Sequence, residues 1–280
     1  MKTKTAIIAM LAISFFAISS CKKDKTNNDE ETELLIEVQK NDAEATKIYN
    51  LINDEVNDLS AHIDSLNYVT PSKTLDSCVT ITINHPDTTT WPKTVVIDFS
   101  GNCTTSNGNV LSGQIIIVQT NRYRADGMVR TITFNSFRIN SNIVSGTKTI
   151  TNIGLVNGFR TYSVTIANGS ITTPDGEVIL TRTAQRTRTW IQGESTYTIW
   201  DDVNSITGVT SGTTRSDKSY TATIVEPLIV ARSCRWIKQG KIALNIEDLP
   251  EIIIDFGSGT CDQTATVTVN GNTRTITLRG

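Results

Sequence analysis

From Cys78 onward the chain alternates apolar residues with Thr at a period of two, and extended backbone is what accommodates that pattern. Val79-Thr80-Ile81-Thr82-Ile83 is the first instance. Thr-x-Thr units recur around Thr131, Thr147, Thr149, Thr181, Thr187, Thr221, Thr264, Thr266, Thr273 and Thr275. In a strand, successive side chains leave opposite faces, so the apolar set points one way and the Thr set the other. The pattern predicts half-buried strands with one wet face, the habit of antiparallel sheets. Thr is the commonest residue of the chain and Ile the next, and both favour a pleated surface.

Turn signals punctuate the alternation at Asn107-Gly108, Asp126-Gly127, Asn157-Gly158, Asp175-Gly176, Gly193, Gly208 and Asn270-Gly271. Asn-Gly and Asp-Gly suit hairpin turns that need positive φ. Central turns lie about 15 to 19 residues apart, so the strands are expected to exceed the usual five or six. The expected fold is mainly β, an N-terminal helix followed by a large antiparallel β-meander. A twisted sheet, a sandwich and a partly curled barrel all remain open for the meander.

The helix is read from a different period. Over residues 33–66, Ala45, Tyr49, Ile52, Val56, Leu59, Ile63 and Leu66 follow alternating steps of four and three, a narrow apolar stripe. Pro71 stops it. Charge changes at the same place. Residues 21–68 hold 5 Lys and 12 Asp and Glu, net −7, whereas residues 69–280 hold 19 Lys and Arg against 16 acids, net +3. The expected organisation is 1–20 signal peptide, 21–32 tether, 33–68 acidic amphipathic helix and 71–280 β-domain. The opposite charges suggest that the helix docks on the Arg-bearing sheet.

The first residues read as an address. Lys2 and Lys4 precede an apolar run, Ala6 to Ala17, that is too short for a spanning helix. It ends in Ile18-Ser19-Ser20-Cys21. Small residues before a single Cys resemble a bacterial lipobox, which implies cleavage before Cys21 and acylation of that residue. Lys22-Lys23-Asp24-Lys25 and the acidic Asp29-Glu30-Glu31 then resemble the start of Bacteroidota surface lipoproteins. The resemblance implies an outer-membrane protein, lipid-anchored and displayed on the cell surface, and it carries over no activity.

Four of the five Cys remain after Cys21 is assigned to lipid. An even number in an exported chain reads as disulfides. Four Cys allow three pairings, and a weak internal repeat favours one of them. Cys78 leads through Ile97-Asp98-Phe99 to Cys103, and Cys234 leads through Ile254-Asp255-Phe256 to Cys261. The repeated units, 78–120 and 234–280, favour Cys78–Cys103 and Cys234–Cys261, and could lie side by side around the central meander.

Candidate chemistry is sparse. The chain has 2 His, which leaves little for imidazole catalysis or zinc, so no metal and no cofactor are expected. His62 falls in the acidic helix and His85 in a turn. Asp98 and Asp255 form a carboxylate pair that could serve a hydrolase, or fix the Gly turns that follow them. Asp255 and Asp262 could also hold Ca²⁺, although EF-hand spacing is absent. The most distinctive feature is Arg182, Arg186 and Arg188, which share one strand face with Thr on the other. Arg122, Arg124, Arg130, Arg138 and Arg160 add charge to the same meander. The bland expectation for this row is an exposed sheet face. With a turn at Gly193, Trp190 falls near Tyr197 and Trp200 near Arg186, giving aromatics that could stack on a sugar. The charge is too weak for a nucleic-acid footprint. The leading expectation is a non-enzymatic, lipid-anchored envelope protein with a structural or interaction role. A surface glycan-binding or adhesion module using Arg182, Arg186, Arg188, Trp190 and Trp200 is the second reading, and a hydrolase is the third.

Overall fold

A computed structural model of the chain describes residues 78–84, 89–104, 108–196 and 198–278. The expected signal peptide, Cys21, the tether, the acidic helix, His62, His85 and Tyr197 lie outside the described residues. The strands are β1 (Val79–Ile83), β2 (Lys93–Thr104), β3 (Val110–Gln119), β4 (Val129–Ile139), β5 (Asn142–Val156), β6 (Phe159–Thr172) and β7 (Val178–Gln192). They continue as β8 (Val203–Thr213), β9 (Ser219–Ala231), β10 (Gln239–Ile246), β11 (Ile252–Ser258), β12 (Thr264–Val269) and β13 (Asn272–Thr277). All join one 13-stranded antiparallel sheet in simple sequence order. Among the described residues there is no helix.

The alternation sets the register. Val95, Ile117, Ile132, Lys148, Ile166, Ala184, Thr210, Ala222, Leu244 and Ile252 stand opposite one another in turn from β2 to β11. Every member of that row is buried. A slip of one residue in any strand would send its apolar set to the wet side, so the row fixes the pairing. Burying each large aliphatic side chain of the row contributes roughly 1.5–3 kcal/mol. We call this the inner face. On the outer face Thr131, Thr149 and Thr165 stand opposite one another. One contiguous hydrophobic core runs from Val79 on β1 to Ile252 on β11, with Val267 and Val269 packed against it.

The strands are long, as the turn spacing predicts: β5 and β7 have 15 residues and β6 has 14. Two-residue turns at Asn157-Gly158 (φ 52 and 82) and Asn270-Gly271 (φ 49 and 78) take the expected left-handed backbone. Asn140-Ser141 does the same (φ 49 and 73) without a glycine to mark it. Gly208 is not a turn. It lies inside β8, at an irregularity between Ile206 and Gly208 in the pairing with β9. Its φ is +123, and an added Cβ would stand 2.2 Å from the Gln185 carbonyl oxygen on β7. The glycine there permits close strand approach, not chain reversal.

Both disulfides favoured by the repeat are present. Cys78–Cys103 and Cys234–Cys261 have Cα separations of 5.7 and 5.8 Å. The first ties the residue before β1 to the far part of β2. The second ties the β9–β10 connection to the β11–β12 connection. Each therefore pins an antiparallel pair next to one edge of the sheet. The repeated units do not pair with each other, contrary to the expectation that they lie side by side. Strand order separates them by β4 to β9, because every ladder joins strands adjacent in sequence.

Candidate functional site

Arg182, Arg186 and Arg188 share a face as expected, but it is the inner one. Arg182 is 3% exposed. The reason is register. Arg186 stands opposite Val164, and Ala184 opposite Ile166, and these apolar partners belong to the buried side. The intervening Thr181, Thr183 and Thr187 face outward. The expectation of an exposed Arg face is corrected on this point.

Two cations that the sequence analysis did not place in the site join them. Arg130 on β4 is fully buried and Lys148 on β5 is 4% exposed. Both occupy the apolar phase of the alternation: Arg130 precedes Ile132 by two residues, and Lys148 precedes Ile150 by two. A cation in that phase is the signal that would have found them. Burial, followed by the charges of Arg188, Arg186, Arg182 and Arg130, holds the Lys148 ammonium well below the ordinary lysine range. Five cations thus share one region of the inner face, on β4, β5 and β7.

Aromatic rings are layered between them. Tyr123, from the β3–β4 connection, stacks on Tyr162 of β6 with centroids 4.9 Å apart and planes at 19°. Arg130 lies 4.4 Å from the Tyr123 centroid, and Arg188 lies 4.7 Å from that of Tyr162. Arg188 also lies 5.7 Å from the Tyr123 centroid, so it sits beside both stacked rings, and Arg130 and Arg188 together bring charge to the pair. Arg188 also donates to Tyr123 Oη. Arg130 Nε donates to Gln119 Oε1 at 2.8 Å. Arg186 Nη2 donates to Thr210 Oγ1 at 2.8 Å. Burial pushes the Tyr162 phenol above its ordinary range, and neighbouring Tyr123 adds to the push.

Trp190 belongs to the same side, with the Arg124 guanidinium 4.8 Å from its ring centroid. Trp200 does not fall near Arg186. β7 continues to Gln192, so Arg186 stands opposite Gly208 and Trp190 opposite Asn204. Trp200 lies instead in the β7–β8 connection, 64% exposed, with Arg232 6.0 Å from its ring centroid. The structure therefore groups Arg182, Arg186, Arg188 and Trp190 and sets Trp200 apart.

That connection belongs to the sheet end that also carries the β3–β4 and β5–β6 connections. Arg160 at the start of β6 ties the three together, with Nη1 2.8 Å from Asp126 Oδ1 and Nε 2.5 Å from Glu194 Oε1. Burial works against its charge, but these two partners outweigh it and hold its pKa up. Leu155, Val156 and Phe159 are exposed at the same end. Asp202 is also there, its carboxyl pushed up by burial against the opposing influence of Trp190.

The expected carboxylate pair is split. Asp98 on β2 accepts from Gln114 Nε2 at 2.5 Å. Asp255 on β11 accepts from the Gly257 amide at 2.8 Å, the turn-fixing role expected of it, and lies 3.5 Å from Lys241 Nζ. Both sit in the Thr phase, on the outer face. Asp262 accepts from the Thr264 amide at 2.8 Å. Each carboxylate is engaged locally. Among the described residues no group of three or more His, Cys, Asp or Glu is placed to hold a metal ion.

Comparison with protein families, with curated proteins and with solved structures finds no match for this chain. Its chemistry is argued from its own residues. The inner face offers buried positive charge framed by aromatic rings and aliphatic side chains, a surface suited to carboxylates or other anions carried on an apolar body.

Proposed function

We propose that this chain is a non-enzymatic, lipid-anchored protein of the cell envelope with a structural or interaction role. It is tethered to the outer membrane through Cys21 and displayed at the cell surface. The observation that carries this reading is the use of cysteine. Two disulfides take up Cys78, Cys103, Cys234 and Cys261, and Cys21 alone remains, behind Ile18-Ser19-Ser20. Such bridges persist in oxidising compartments. The same reading takes 33–68 as an amphipathic helix and the 13-stranded sheet as curved towards a partial barrel, since a sheet this wide twists and curls.

The test is fractionation of cells expressing the wild type and Cys21→Ser. The wild type is expected in the membrane pellet and the variant in the soluble envelope fraction. A variant that stays with membranes overturns the anchor. Protease treatment of intact cells then separates surface display, in which the β-domain is cut or shed, from an inward-facing anchor, in which it is protected.

A second reading is a glycan-binding module, favoured by the exposed Trp200 with Arg232 beside its ring. Trp200→Ala is expected to abolish any signal of the soluble protein on a glycan array. An array with no wild-type signal removes this reading.

A further inference from the structure

Antiparallel order puts every connection that follows an odd-numbered strand at one end of the sheet. All 4 Trp of the chain are at that end. Trp91 precedes β2, Trp190 lies near the end of β7, and Trp200 and Trp236 lie in the connections after β7 and β9. Each has a cation against its ring. Lys93 is 5.0 Å from the Trp91 centroid, Arg124 4.8 Å from Trp190, Arg232 6.0 Å from Trp200 and Arg235 5.6 Å from Trp236. Both partners of such a pair join an apolar body to a polar tip, so they favour a boundary between apolar and polar media.

The same end leaves apolar side chains in water. Among the described residues nine large apolar side chains are exposed, and six of them lie on the β5–β6 hairpin or in the β7–β8 connection: Ile153, Leu155, Val156, Phe159, Ile199 and Trp200. The pairing of Arg160 with Glu194 holds these two connections together. Exposure gathered in one place marks an interaction site.

The hairpin tip is shaped to be surrounded. Val156 stands opposite Phe159 on one face and Leu155 opposite Arg160 on the other, so apolar side chains leave both faces. A partner with one flat surface would cover only one of them. The chain reverses within Asn157-Gly158, so few backbone N–H and C=O groups lie beyond the ladder. Entry into an apolar layer then leaves little backbone unpaired.

The charge around the tip is also suitable. Arg122 and Arg124 lie in the β3–β4 connection, and Arg232, Arg235 and Lys238 in the β9–β10 connection. The Arg232 amide donates to the Asp202 carbonyl at 2.9 Å, which holds the β9–β10 connection against the β7–β8 one. Of the acids there, Asp126 and Glu194 pair with Arg160, and Asp201 accepts from Thr196 Oγ1 at 2.9 Å.

We propose that this end of the sheet docks on a lipid surface with anionic headgroups. Leu155, Val156, Phe159, Ile199 and Trp200 enter the boundary between headgroups and acyl chains, and the Arg residues beside the tryptophans face the headgroup phosphates. Docking of this kind is independent of lipid at Cys21.

The experiment uses the full chain after the signal peptide, carrying Cys21→Ser so that it has no lipid of its own. Flotation with phosphatidylcholine vesicles, with and without phosphatidylglycerol, measures binding. Binding is expected, stronger with phosphatidylglycerol. Lipids brominated on the acyl chain should quench the tryptophan emission, and most of that quenching should disappear in Trp200→Phe. Leu155→Asp with Phe159→Asp should cut binding about tenfold or more, given the apolar area each side chain would bury, with the β-sheet circular dichroism kept. No binding by the parent, no quenching, or binding unchanged in the tip variant overturns the proposal. Equal binding to both vesicles overturns the part given to the Arg residues. A parent that ignores vesicles but self-associates, and loses that association in the tip variant, assigns the patch to a second copy instead. The tip variant keeps Trp200 and Arg232, so glycan binding at Trp200 would survive it and vesicle binding would not. Quenching is read on the unaltered tip, so it stands even where the variant folds poorly.

Discussion

The guanidinium of Arg188 donates to the phenolic oxygen of Tyr123, a residue 65 positions earlier in the chain. The bond fastens the β3–β4 connection over the inner face and holds the Tyr123–Tyr162 stack beneath it. Tyr123→Phe keeps the ring and removes the acceptor. Its expected cost is about 1–3 kcal/mol, that of a buried charged donor left without its partner. Urea unfolding of both proteins measures it, and an unchanged midpoint would show that the bond contributes nothing.

Lys148 should give stability a pH dependence of a particular sign. Its folded pKa lies below the ordinary value of 10.5, so between the two values the unfolded chain binds more protons than the folded one. Stability therefore rises with pH across that window, by up to about 1.4 kcal/mol per unit. The Tyr162 phenol has the opposite displacement. Its contribution is complete below the ordinary tyrosine value and is lost above it, so measurements belong below that value. Lys148→Met should flatten that rise in chemical denaturation followed as pH is raised towards the ordinary tyrosine value.

The two disulfides close stretches with sequence separations of 25 and 27. Replacing Cys234 and Cys261 together by Ala should lower stability by roughly 3 kcal/mol, the loop-closure value for this length. Thiol titration of denatured, unreduced protein carrying Cys21→Ser should find no free thiol. Four free thiols would contradict both bridges.

Gly208→Ala should destabilise by about 1–3 kcal/mol, because the backbone is left-handed and the new methyl meets the Gln185 carbonyl. Gly257 also has positive φ, but nothing lies within 4 Å of its missing Cβ. Gly257→Ala should therefore cost less, and thermal unfolding of the pair separates crowding from backbone strain.

The fold was more legible than the site. Period-two alternation and Asn-Gly turns are local signals, and they led directly to a mainly antiparallel sheet of long strands. The Cys-flanked repeat likewise led to the correct pairing, because each unit is itself an antiparallel pair with its bridge. Gly208 misled because a glycine that allows close approach looks the same in a sequence as one that turns the chain. The side chosen by Arg182, Arg186 and Arg188 was not legible within β7, where Thr and Arg alternate without a strong apolar set. It is decided by neighbouring strands, whose Ile and Val residues fix which phase is buried. Arg130 and Lys148 show the same dependence, for each is a cation in a place its own strand reserves for aliphatic side chains.

Simple strand order has a further consequence for how such a chain is assembled. Each ladder needs only the next stretch of sequence, and no strand waits for a partner far away along the chain. Local contacts of this kind lower the loop-closure entropy that slows other β-proteins. A chain delivered as a thread through a narrow opening can therefore zip up hairpin by hairpin as it emerges. Cys78 meets Cys103 as soon as β2 is laid down, so the first rung is locked before the last is delivered.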